Sequence, residues 1–167
     1  EKPFMKGSDT AKITIVEFAD FECPACAASS PITKSLMEEY KDKVKFVFRH
    51  FPLEQHKNAY TAAQSAEAAG AQGKFWEMHN VLFANRRNLG TTSLKLHSKE
   101  AGINNKKFLD DLVNGVYGWQ VQDDLKEGIN RGVKDLPTFF VNDVLVTGKP
   151  TFDNLSAAIE EKKKKTK

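Results

Sequence analysis

Cysteine is close to absent from this chain. Only two occur in 167 residues, Cys23 and Cys26, and they stand three positions apart. Long apolar runs are missing too, and no stretch is long enough to span a bilayer. The start, Glu1-Lys2-Pro3-Phe4-Met5-Lys6, is polar and carries no signal-peptide core, so a mature or trimmed chain is expected. Charge of one sign is in small excess. A net charge of +3 is too mild to point to nucleic acid, and much of it sits in Lys162 to Lys165 and Lys167. No hydrophobic anchor accompanies those lysines, which argues against a membrane surface. His50, His56, His79 and His97 have no paired ligand spacing, so neither a metal site nor a cofactor is expected. There is no internal repeat. Two cysteines fit either redox compartment.

What is present suits one domain with room for an inserted subdomain. Forty per cent apolar residues can supply a core. Twelve phenylalanines suggest an aromatic interior with an exposed apolar groove.

The two cysteines lie in Phe21-Glu22-Cys23-Pro24-Ala25-Cys26, after an apolar β-prone run, Ile13 to Ala19, and before a helical segment, Ala25 to Tyr40. Pro24 suits a first helical turn, where a missing N–H costs nothing. Cys23 is then at or near the N-cap. Free N–H groups and partial positive charge at a helix start stabilise a thiolate, which is the reactive form of cysteine. Cys23 is expected to be the exposed nucleophile, and Cys26, one turn further in, the buried resolving thiol of a redox-active pair. Three other readings compete. A structural staple across about four residues would contribute only about 2 kcal/mol. Half a zinc site lacks two further ligands. Two inert buried cysteines would leave the proline and the strand-to-helix setting without a purpose.

Within the run Ile13–Ala19, which is apolar on both faces as in a central strand, Glu17 is the exception. It is either at an edge or in a salt bridge, or it is a buried carboxylate of raised pKa that takes the proton of Cys26. Residues Glu1 to Lys12 read as a lead-in with a turn at Gly7-Ser8-Asp9. Pro31 should kink the first helix. Val44 to Phe51 alternates as a second strand. From His56 to about Gly132 only helical patterns follow. These are an alanine stripe (Ala59, Ala62, Ala63, Ala66, Ala69), an amphipathic run with Phe75, Met78, His79, Leu82 and Phe83, and a short helix from Leu94 to Ala101. Two more follow, one with Phe108, Leu109, Leu112 and Val113 on one side and one from Tyr117 to Asn130. Thr138 to Val141 and Val144 to Val146 read as a hairpin turning at Asn142-Asp143. A terminal helix from Thr151 to about Glu161 should turn Phe152, Leu155, Ala158 and Ile159 inward, with the lysine run fraying beyond it.

The stretch Ile15 to Cys26 resembles the active-site region of DsbA-type thiol:disulfide oxidoreductases, which have a thioredoxin fold. Arg49-His50-Phe51-Pro52-Leu53, the alanine-rich helix, Gly73-Lys74-Phe75-Trp76 and Pro137-Thr138-Phe139-Phe140-Val141-Asn142 resemble it as well, so the likeness runs from about Gly7 to Ile159. The resemblance implies an α/β chain with a central mixed β-sheet. The thioredoxin-like core would take residues 1–55 and 133–167, and an inserted all-helical subdomain residues 56–132. It also implies that Pro137 is cis and faces the dithiol, leaving nearby backbone groups free to pair with an extended peptide. Pro24, Ala25, Leu136 and Pro137 would contact substrate. Glu17 falls six residues before Cys23, where relatives carry a buried carboxylate. Two departures pull in opposite directions. Ala25 replaces the histidine of the strongest oxidants and adds no charge beside Cys23. Leu136 stands where many relatives have threonine and removes a hydroxyl.

The resemblance implies a monomeric, extracytoplasmic oxidase of the periplasm or cell envelope. It would act on unfolded or partly folded cysteine-containing proteins and be reoxidised by a membrane redox partner. A reductase or isomerase of the same fold is a second reading, although no segment looks like the dimerisation module an isomerase usually needs. A non-catalytic peptide-binding or chaperone-like module is a third.

Overall fold

The computed structural model describes residues 4–165, so Glu1 to Pro3 of the lead-in and Lys167 of the lysine run lie outside it. The run apolar on both faces becomes the middle of a five-stranded sheet. Strands β1 (Met5–Gly7), β2 (Ile13–Ala19), β3 (Val44–His50), β4 (Thr138–Val141) and β5 (Val144–Leu145) take the order β1-β3-β2-β4-β5. β2 runs parallel to β3 and antiparallel to β4, so the sheet is mixed. This register sets Glu17 between Phe48 and Phe139. The β4–β5 turn places Asn142 and Asp143 at φ 47° and 67°, a conformation asparagine and aspartate tolerate better than most residues.

Helix α1 (Pro24–Tyr40) connects β2 to β3 and buries Leu36 and Tyr40. Five helices lie between β3 and β4: α2 (Ala59–Gly70), α3 (Phe75–Ala84), α4 (Thr91–Glu100), α5 (Lys106–Val113) and α6 (Gly118–Asn130). All five alanines of the α2 stripe are buried, which lets neighbouring helices approach closely. At Gly70 even a methyl is too large, since a Cβ there would sit 2.2 Å from the Phe4 ring. The aromatic interior joins the helices to the sheet. Phe4 stacks on Phe75 with centroids 4.7 Å apart, and Phe21 stacks on Phe48 at 5.4 Å. The final helix, α7 (Phe152–Lys165), buries Leu155 and Ile159 and packs against α1, β2 and β4. A smaller apolar group, Val16, Phe18, Phe51, Val133 and Phe140, lies apart from the main core.

Three local expectations are corrected. The lead-in contains a strand, β1, which pairs antiparallel with the edge of β3. The lysine run stays helical to Lys165 rather than fraying, supported by Glu160–Lys163 and Glu161–Lys165 pairs at 3.4 and 3.5 Å. Val113 is not on the buried side of α5; it closes the helix and is 77% exposed. No helix among the described residues is long and apolar enough to cross a membrane.

Candidate active site

The chain leaves β2 at Ala19 and enters α1 at Pro24, and the turn between them carries the first cysteine. Cys23 is the N-cap of α1, in extended conformation, with Pro24 in the first turn. Its N–H donates to the Asp20 carbonyl at 3.1 Å, and its sulfur accepts the Cys26 N–H at 3.4 Å. Both cysteines are free thiols.

The two sulfurs are made unequal. The Cys23 thiol is drawn down to about 6, chiefly by the hydrogen bond from the Cys26 thiol; the N–H groups of Cys26 and Ala25 add to this, while burial and the charge of Asp20 oppose it. The neighbouring thiol therefore outweighs the helix start, which sequence reasoning put first. Cys26 is pushed far up by the same hydrogen bond, by its burial and by Glu17. It stays protonated wherever Cys23 is a thiolate.

Cys23 is not the exposed group that its motif suggested. It is 7% exposed, against none for Cys26. The other end of the chain approaches it. The Leu136–Pro137 peptide is cis, and the Leu136 carbonyl lies 4.0 Å from the Cys23 sulfur, within reach of its thiol proton. Leu136 and Pro137 are half-buried, whereas Pro24 and Ala25 are exposed beside the dithiol.

Glu17 is buried in the central strand, neither at an edge nor in an ion pair among the described residues. Burial pushes its carboxyl up to about 8, against the pull of a hydrogen bond from Ser29. The Ser29 hydroxyl is 3.2 Å from Glu17 Oε2 and 2.9 Å from the Cys26 carbonyl, so it links the carboxyl to the turn that holds Cys26.

Asp20 was not singled out from the sequence. Its buried carboxylate accepts the N–H of Glu22 at 2.7 Å, that of Leu53 at 2.9 Å and the Nδ1–H of His56 at 2.7 Å. It thereby ties the dithiol turn to the loop after β3. Its signal was an acidic residue at the end of an apolar strand, three positions before the N-cap. A second polar cluster also went unread. Asp124 of α6 accepts from Arg49 at 3.2 Å, from the His50 N–H at 3.0 Å and from Gln120 at 3.1 Å, while His50 Nε2 meets Glu67 of α2 at 2.9 Å. Among the described residues no group of three His, Cys, Asp or Glu side chains is placed to hold a metal ion.

The family model described as Thioredoxin matches residues 1–161. A relative from Salinispora tropica, named Na(+)/H(+) antiporter NhaA 3, is 34% identical over 160 residues; the match takes 95% of this chain and 24% of that protein. The chain thus spans about a quarter of the length of the curated relatives it matches. Among solved structures, a thioredoxin-like oxidoreductase from Silicibacter pomeroyi superposes with a TM-score of 0.86 at 24% identity, covering 96% of this chain and 91% of that one. The thiol-disulfide exchange protein alpha-DsbA2 from Wolbachia pipientis gives 0.85 at 22% identity, covering 96% and 86%. Both superpositions show that the chain shares their fold. With a family model matched over nearly its whole length, the chain belongs to the thioredoxin family.

Proposed function

We propose that the protein is a thiol:disulfide oxidoreductase that works as a dithiol oxidase, with Cys23 as the attacked sulfur and Cys26 as the resolving one. The observation that carries this reading is the split between the two thiols, one drawn down to about 6 and the other pushed up. A thiolate held this stable favours the reduced form of the pair, which makes the disulfide form a stronger oxidant.

In the oxidised protein a substrate thiolate attacks the Cys23 sulfur. The Cys23–Cys26 bond breaks, a bond from the substrate sulfur to Cys23 forms, and Cys26 leaves with the electron pair. Glu17, protonated below about 8, supplies the proton that Cys26 takes up. A second substrate thiolate then attacks the first substrate sulfur, and Cys23 departs as a thiolate. The substrate ends as a disulfide, two electrons poorer, and the protein as the dithiol. Pro24, Ala25, Leu136 and Pro137 border the reacting sulfur, and the Leu136 carbonyl beside it supports a role in holding the substrate backbone.

The substrates are unfolded or partly folded cysteine-containing proteins outside the cytoplasm, and a membrane redox partner restores the disulfide. One structural neighbour is named a thiol-disulfide exchange protein and the other a thioredoxin-like oxidoreductase, which supports the reaction class. Equilibration of the pair against glutathione buffers tests the direction. An oxidase comes to equilibrium well on the oxidising side of thioredoxin's potential of about −270 mV; a value at or below that figure favours a reductase and overturns this reading.

A further inference from the structure

A groove of about 800 Å³ lies between α1 and α3, apart from the reacting sulfurs. One wall is the face of α1 that carries Ala27, Ser30, Lys34 and Glu38. Residues three and four apart share a helix face, so this stripe continues upward to position 23. The groove therefore starts one turn from Cys23. From Ala27 to Glu38 it follows the helix for about 16 Å, room for about five residues of extended chain. The opposite wall, from α3, sets Trp76, Phe83 and Ala84 beside the polar His79 and Asn80, and the flexible Met37 side chain of α1 also lines the groove.

Its charge is nearly all of one sign. Lys6, Lys34 and Lys41 line it, opposed by Glu38 alone. None of the three lysines is in a salt bridge among the described residues. The Lys6 ammonium lies 4.8 Å over the Trp76 ring, and burial and the charge of Lys34 draw its pKa down. Glu77, just outside the groove, acts in the other direction but is paired with Lys74 at 3.6 Å. His79 is buried against this wall and pushed down to about 4, so it adds no charge at neutral pH. An anion between Lys6 and Lys34 would relieve their repulsion, and an apolar side chain next to it would meet the indole.

We propose that this groove seats an acidic segment of the polypeptide whose cysteine is bonded to Cys23. The proposal rests on the oxidoreductase reading and adds a substrate class to it: proteins with carboxylates and an apolar residue within a few positions of the reacting cysteine. Tethering through the mixed disulfide holds that segment at millimolar effective concentration, so individually weak contacts are enough. Before the bond forms, the same charges steer the encounter.

The test uses the oxidised full chain and three peptides, each with one cysteine followed by a five-residue arm that is acidic with one leucine, neutral, or basic. At low salt the acidic peptide should reduce the protein about three- to tenfold faster than the basic one, and 0.5 M salt should erase the gap. The double variant Lys6→Glu, Lys34→Glu should invert the order. A thiol-free acidic peptide, with serine for cysteine, should shift the Trp76 indole N–H resonance where the basic one does not. Equal rates for all three peptides overturn the proposal, as does an order unchanged in the double variant. Loss of the preference on adding millimolar sodium aspartate also overturns it, because the groove would then be a small-anion site. Dithiothreitol separates this failure from that of the underlying reading. If it opens the disulfide while the peptides react alike, only the groove proposal falls; if it does not, both fall.

Discussion

The Ser29 hydroxyl lies 3.2 Å from the Glu17 carboxyl, twelve positions earlier in the chain, and joins the first helix to the central strand at the level of the dithiol. That carboxyl ionises only at about 8. Below about 4.5 the folded and unfolded chains both hold its proton. Between about 4.5 and about 8 only the folded chain does, so stability falls as pH rises through that window, by on the order of 5 kcal/mol in total. Glu17→Gln should match the parent chain in urea denaturation at pH 4 and exceed it at pH 8. The same variant should slow disulfide exchange by about ten- to a hundredfold and remove the inflection near 8 from its pH profile.

Thiolate absorbance should titrate in the reduced protein with a midpoint near 6, and Cys23→Ser should abolish that step. Because folding lowers this thiol from its ordinary value, the reduced fold gains stability over the oxidised one as pH rises from about 6 to about 9, and loses it on acidification. Melting temperatures of the two redox forms, compared at pH 5 and pH 8, check the sign. Cys26→Ala should accumulate the mixed disulfide, visible as a mass increase of one substrate.

Asp20→Asn should draw the Cys23 thiol further down, since the Asp20 charge opposes the thiolate. The glutathione equilibrium should then shift toward a more oxidising pair. The amide offers one acceptor atom where three N–H groups now converge on two, which should cost about 1–3 kcal/mol of stability. A purely structural role would change stability without moving the thiol titration.

Asp124→Ala should destabilise the chain by about 3–5 kcal/mol in urea denaturation, because it strands Arg49, Gln120 and the His50 N–H at once. The thiol titration should hardly move, since this cluster pins α2 and α6 to β3 rather than touching the dithiol.

The elements that carry their own periodicity were legible in the sequence. The run Ile13–Ala19 and the stripe Phe75-Met78-His79-Leu82-Phe83 each bury the faces their spacing indicates. Cys23 at the head of α1 was legible because Pro24 marks a helix start. What was not legible depends on distant partners. Three-residue β1 has no alternation of its own and exists through Met5 opposite Val47. The carbonyl beside the Cys23 sulfur belongs to Leu136, 113 positions away, and no local pattern encodes that approach. Asp20 and Asp124 carry no local signal of their role, because partners that fix them lie 36 and 74 positions away in His56 and His50.

That long reach between Leu136 and Cys23 bears on biosynthesis. Glu17 is flanked by Phe139 only after β4 has joined β2, and the Cys23 sulfur meets a carbonyl that is translated more than a hundred residues later. Until then Cys23 lacks that carbonyl neighbour and Glu17 lacks one of its aromatic flanks, although the contacts that lower the Cys23 thiol all lie within three residues of it. The surroundings of the pair are thus assembled from one local turn and from a strand more than a hundred residues downstream.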